Sequence, residues 1–171
     1  MSGQQLGGLS EGWLLGILAT ETGVGATRFC QTICDRNDVT SAWFDLSGNP
    51  GKADVLVSAV GFTVVEALWA AERLSRAVGL MVFDSVICWP ERSITQFLRD
   101  LQAMCINTGT AAVISGIGCR DTIRGRCTPI GGRAWYNHCD LVVELGPDQC
   151  GCIIWWAEDE PTMEWFQWQS T

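Results

Sequence analysis

Apolar positions in this chain gather into short, unbroken runs: 13–19, Val39 to Asp45, Val55 to Val60, Leu80 to Asp84, Ala111 to Ile117, Asp140 to Leu145 and Cys152 to Trp156. Runs of this length without polar interruption at their centres predict strands of a sheet covered on both faces. Between them, Thr27 to Arg36 and Thr63 to Ala77 read as helices. The clearest helix follows Pro90, where Ile94, Phe97, Leu98, Leu101, Met104 and Cys105 form one stripe. Ser93 and Gln96 predict a capping box at its start, and Gly109 ends it. Alternation of strand and helix predicts an α/β protein with a mainly parallel central sheet and antiparallel additions after residue 138. No repeat, linker or low-complexity segment interrupts the pattern, so residues 1–171 are expected to form a single domain.

Composition narrows the function classes. With 171 residues, 47% hydrophobic and 18% charged, the chain can bury a substantial core and is far from a disordered composition. The formal net charge of −8, with Lys52 as the lone lysine, excludes a general polyanion binder. Any nucleic-acid contact must therefore be local. No leader pattern opens the sequence and no apolar run approaches ~18 residues, which predicts a soluble, intracellular protein without membrane contact. The nine cysteines are odd in number and predict reduced thiols. Cys30 and Cys34 stand one helical turn apart, and Cys150 and Cys152 share a strand. Neither spacing is a C-x-x-C pair, and His138 beside Cys139 has no second ligand pair, so no metal centre is expected.

The candidate chemistry lies between the first strand and the first helix. Thr20-Glu21-Thr22-Gly23-Val24-Gly25-Ala26-Thr27 follows the phosphate-loop pattern G-x-x-x-x-G-K-[ST] except at its first glycine, here Thr20, and its lysine, here Ala26. In a working loop that lysine holds the β- and γ-phosphates. A methyl group in its place leaves a strand, a glycine turn and a helix start without the charge.

Leu6-Gly7-Gly8-Leu9, Gly12 and this degenerate loop together resemble the opening of the RecA-type recombinase core, and Arg28 to Cys34 resembles the helix after its phosphate loop. Trp43-Phe44-Asp45-Leu46-Ser47-Gly48 is similar to the family's second strand and D-T-E-G turn, and Leu80 to Ser85 to its Walker B strand. Pro129 to Trp135, His138 and Asp140 to Val143 resemble the segment after the second DNA-binding loop of eukaryotic recombinases and their paralogues. The resemblance covers nearly the whole chain and implies a RecA-like P-loop core.

Its departures imply a pseudo-ATPase with no cofactor. Ser47 stands at the catalytic glutamate and Gly116 near the γ-phosphate sensor, while Thr27 and Asp84, the magnesium-holding pair, remain. Asp84 reads either as a strand-end carboxylate bonded to the Gly25–Thr27 turn or as a remnant of nucleotide binding. Few residues precede Leu6, so no amino-terminal helical domain and no self-assembly linker are expected. The first DNA loop reads as trimmed, because Trp89-Pro90-Glu91-Arg92 leads straight into a helix.

Two surface features remain. Arg120, Arg124, Arg126 and Arg133 lie where the resemblance puts the second DNA loop, and no basic residue follows them. They read either as a single-strand contact or as a solvated loop pairing with carboxylates. Trp155, Trp156, Trp165 and Trp168 close the sequence as either a docking surface or an edge strand folded over its own sheet. Adjacent strand residues face opposite ways, so Trp155 and Trp156 cannot share one core. The resemblance implies a nuclear, non-catalytic paralogue, paired with an ATP-binding paralogue and acting on recombinase filaments on single-stranded DNA in recombination repair. The alternatives are a small atypical P-loop NTPase and an inactive RecA-like subunit of another complex, such as one acting on transfer RNA.

Overall fold

The computed structural model describes residues 9–120, 127–147, 150–157 and 160–168. Strands β1 (Leu14–Ala19), β2 (Ser41–Asp45), β3 (Val55–Ser58), β4 (Leu80–Asp84), β5 (Ala111–Arg120), β7 (Leu141–Leu145), β8 (Cys150–Ala157) and β9 (Glu160–Gln167) form one sheet in the order β3-β2-β4-β5-β1-β7-β8-β9. A short β6 (Cys127–Pro129) pairs antiparallel with the end of β5. Helices are α1 (Ala26–Arg36), α2 (Val64–Leu74), α3 (Glu91–Thr108) and α4 (Ala134–His138). The sheet is parallel from β3 through β7 and antiparallel at β8 and β9.

The unbroken apolar runs have the cause expected of them: β1, β2 and β4 are buried at every position because both faces are covered. Leu14 and Leu18 join the core beneath α2, α3 and α4, while Leu15, Ile17 and Ala19 join the core beneath α1. In the first core Phe44 stacks on Phe83 at 4.4 Å, and Phe83 meets Phe97 of α3 edge-on at 5.1 Å. Each fully buried side chain of this size contributes about 1.5–3 kcal/mol.

Several boundaries differ from the sequence expectation. α3 starts at Glu91 on Pro90, with no side-chain cap, so Ser93 and Gln96 lie inside the helix rather than forming a capping box. Pro90 is itself the N-cap, with φ −61° and an extended ψ of 152°, and its carbonyl accepts the Ser93 and Ile94 N–H groups that open the helix. The capping box belongs to α2, where Thr63 and Glu66 cap each other. That helix ends at Leu74, short of Ala77. Gly109, left-handed at φ 74°, closes α3 as expected. Val39 is 48% exposed and lies ahead of β2; β7 runs parallel to β1, and β8 and β9 are the antiparallel additions expected after residue 138. No helix among the described residues is long and apolar enough to cross a membrane.

Candidate functional site

At the carboxyl ends of the parallel strands, where α/β sheets hold their ligands, the structure opens a cleft of about 750 Å³. Its wall is the segment joining β1 to α1. Thr20, in place of the loop's first glycine, fastens that segment to β7: its backbone N–H and its hydroxyl both donate to the Leu145 carbonyl, at 2.9 and 3.0 Å. Gly23 and Gly25 then take φ of 85° and 94°, conformations that a Cβ disfavours. α1 begins immediately at Ala26, with neither a side-chain cap nor an acidic residue in its first turn.

Asp84, only 1% exposed, sits at the end of β4 against this turn. The Thr27 hydroxyl donates to its Oδ2 at 2.7 Å, and the Ser115 hydroxyl of β5 donates to its Oδ1. The carboxylate at the strand end is thus held by two hydroxyls, one of them from the turn that follows Gly25. At the end of β2, Asp45 Oδ1 accepts the backbone N–H groups of Ser47, Gly48 and Asn49 at 3.2, 2.7 and 3.0 Å. That turn presents Ser47 and Asn49 to the cleft.

Gly116, at the cleft, is closed off from below. A Cβ on Gly116 would lie 2.6 Å from the Trp135 ring, so the indole of α4 fills the space that a longer residue there would need. Among the charged residues lining the cleft, Arg28 is the basic one, beside Glu21 and Asp84. Arg28 was not singled out in the sequence, though its place two residues past Ala26 could have marked it. The Cys30 thiol, buried under the cleft, is pushed well above its ordinary value by burial first and by the Asp84 charge second. It is no nucleophile.

Trp168 is the main correction. It is 9% exposed, meets Phe29 of α1 edge-on at 5.4 Å, and lays its ring over Gly25, where a Cβ would come within 3.0 Å. Its Nε1 is buried without a hydrogen-bond partner among the described residues. Trp168 therefore packs on the chain's own loop rather than offering a docking surface. Trp165 is 65% exposed. Trp155 and Trp156 lie in β8 opposite Thr162 and Pro161, and the orientation of their side chains lies outside the described residues.

The arginine group is divided. Residues Gly118 to Arg120, expected in a flexible loop, are the end of β5, paired with Pro129 to Cys127. This hairpin extends β5 past Ser115 and Gly116 and so past the cleft. Arg124 and Arg126 lie outside the described residues, and Arg133 is exposed just ahead of α4. The described cysteines are free, and no cluster of metal-ligating side chains occurs among the described residues.

The chain is a mixed α/β protein with a mostly parallel central sheet, antiparallel carboxy-terminal strands and a glycine-turn cleft at the strand ends. Neither known protein families nor curated proteins match it.

Proposed function

We propose that the chain is a RecA-like recombinase paralogue without catalytic activity, acting in the nucleus as one subunit of a heteromer that caps or remodels recombinase filaments on single-stranded DNA during homologous-recombination repair. The observation that carries this reading is the loop. Its glycine turn, helix start and Thr27–Asp84 contact are kept, yet Ala26 stands where the lysine would be. A mainly parallel sheet with antiparallel carboxy-terminal strands agrees with the core that the resemblance implies. Ser47 supplies no general base at the cleft rim, and Trp135 takes the sensor's space. Transition-state charge stabilisation and water activation both lack their groups, so the fold is left to act as shape.

The test is twofold. Calorimetric titration of the full chain with magnesium and ATP is expected to give no saturable binding. Low-micromolar binding abolished by Asp84→Asn would overturn the pseudo-ATPase reading. Affinity purification of the tagged chain from cells is expected to recover a recombinase paralogue that binds ATP, whereas recovery of a transfer-RNA-modifying assembly would overturn the repair assignment. DNA contact by the complex is expected to weaken, with a flatter salt dependence, when Arg120, Arg124 and Arg126 become alanine. Unchanged binding would reduce that hairpin to a solvated turn.

One observation favours the second reading, an atypical NTPase: Arg28 lines the cleft and could supply charge from the first turn of α1. If ATP binds and Arg28→Ala abolishes it, that reading replaces the first.

A further inference from the structure

We propose that the outer edge of β9 accepts an extended, basic segment of a partner protein as one further strand of the sheet. The inference rests on the heteromer reading above and names the surface that such a partner would use. The sheet ends at β9, whose neighbour among the described residues is β8 alone. A terminal strand leaves alternate N–H and C=O groups unpaired, which is the template used in strand addition.

This edge is anchored. Phe166, on one face of β9, lies 6.0 Å from Phe29, and Trp168 just beyond it is seated on α1. The opposite face presents Met163 and Trp165, two residues apart and 47% and 65% exposed. A rigid strand with an exposed Trp beside unpaired backbone combines the ordering and the aromatic anchor that interface hot spots need.

Charge selects the occupant. Within β9 the sequence holds Glu160 and Glu164 and no Lys, Arg or His. A second copy laid edge to edge on β9 would bring acid against acid, and like charges across paired strands destabilise. A segment with basic residues alternating with apolar ones satisfies the backbone, the Met163–Trp165 face and the carboxylates together. The glutamates disfavour an identical copy without excluding such a segment. The opposite edge, β3, has four residues against eight in β9 and lacks this charge bias.

The experiment uses the full chain, fused at its amino terminus to a solubility tag, and a fluorescent peptide of alternating lysine and valine as probe, read by anisotropy. Saturable, salt-sensitive binding is expected, reduced at least about tenfold when every second peptide amide is N-methylated, because the lost backbone bonds are each worth roughly 1 kcal/mol. Glu164→Lys should weaken the lysine peptide and favour a glutamate–valine peptide, and Trp165→Ser should weaken both. Equal binding of the N-methylated peptide, or of the acidic peptide to the unaltered chain, overturns the proposal. Self-association of the chain that is abolished by Trp165→Ser overturns it in favour of a second copy. If the lysine–valine peptide does not bind, while both variants still co-purify with a cellular partner, the edge proposal falls and the heteromer reading stands. If no partner is recovered, the heteromer reading falls whatever the peptide does.

Discussion

Truncating Trp168 to alanine measures how firmly the end of β9 holds the loop. Its ring is nearly enclosed, edge-on to Phe29 and over Gly25. Removing a buried aromatic ring of this size costs about 3–5 kcal/mol. Part of that is offset, because the indole Nε1 has no partner among the described residues and burying such a group costs about 1–3 kcal/mol. The net loss expected for Trp168→Ala is therefore about 2 kcal/mol. Trp168→Phe separates the two contributions: it keeps an aromatic edge against α1 and sheds the unpaired N–H. It gives up about 1 kcal/mol of apolar burial and recovers about as much, so its change should stay within about 1 kcal/mol. At ~2–4 °C per kcal/mol for a chain of this size, the alanine variant should melt about 4–8 °C lower and the phenylalanine variant within about 4 °C of the parent. Urea unfolding followed by far-ultraviolet circular dichroism is the suitable assay, since nine tryptophans blur any single fluorescence signal. If phenylalanine is as damaging as alanine, the indole N–H is doing something that an orphan cannot. If alanine is neutral, the ring does not hold the loop.

Gly25→Ala should cost about 2 kcal/mol, from its left-handed φ of 94° and its 3.0 Å approach to the Trp168 ring. A double-mutant cycle with Trp168→Ala should recover about 1 kcal/mol of coupling, and strict additivity in denaturant melts would refute the contact. Burial, aided by neighbouring acids, pushes the Cys34 and Cys105 thiols up to about 12 and Cys30 well above its ordinary value. At mildly alkaline pH these three should resist iodoacetamide until the chain is unfolded, while exposed Cys119 reacts at once; peptide mapping that finds Cys30 alkylated in the native chain would contradict the packing of α1. The Glu66 carboxyl is held below its ordinary value by the Thr63 backbone N–H first and the Thr63 hydroxyl second. A depressed folded value means stability that is complete above the unfolded value and lost as pH falls through the folded one. The melting deficit of Thr63→Ala should accordingly narrow on acidification, and a deficit that stays constant into strong acid would show that the cap is not carried by the ionised carboxylate.

The central strands were legible because being covered on both faces imposes an unbroken apolar run, and that signal is local. Strand direction is not local: Leu141–Leu145 has the same pattern whether it runs with β1 or against it, so its parallel pairing emerges only from the crossover through α4. The start of α3 was misplaced because Ser93-x-x-Gln96 matches a capping box while the helix already opens at Glu91, on the Pro90 carbonyl. The loop and its Asp84 partner were readable from motif spacing. What covers them was not. Trp168 on Gly25 and Trp135 under Gly116 join residues far apart in sequence, and in each case the missing Cβ of a glycine is the only trace that the contact leaves.

Trp135 has one further consequence, which concerns the mutations open to this chain over time. Its indole is fully buried and abuts three glycines on three separate segments: Gly16 of β1, Gly116 of β5 and Gly131 ahead of α4. Its Nε1 donates to the Ile130 carbonyl at 2.7 Å. A Cβ at Gly116 would collide with the ring at 2.6 Å, one at Gly16 or Gly131 would crowd it at 3.0 or 3.1 Å, and shrinking the ring leaves a hole that all three border. Single steps in either direction are penalised. The arrangement acts as a ratchet: a lysine at position 26 is one substitution away, but a cleft able to admit a side chain at position 116 needs coordinated change across three strands and loops. Drift in this chain should therefore run along its surface and edges, with the floor of the cleft remaining as it is.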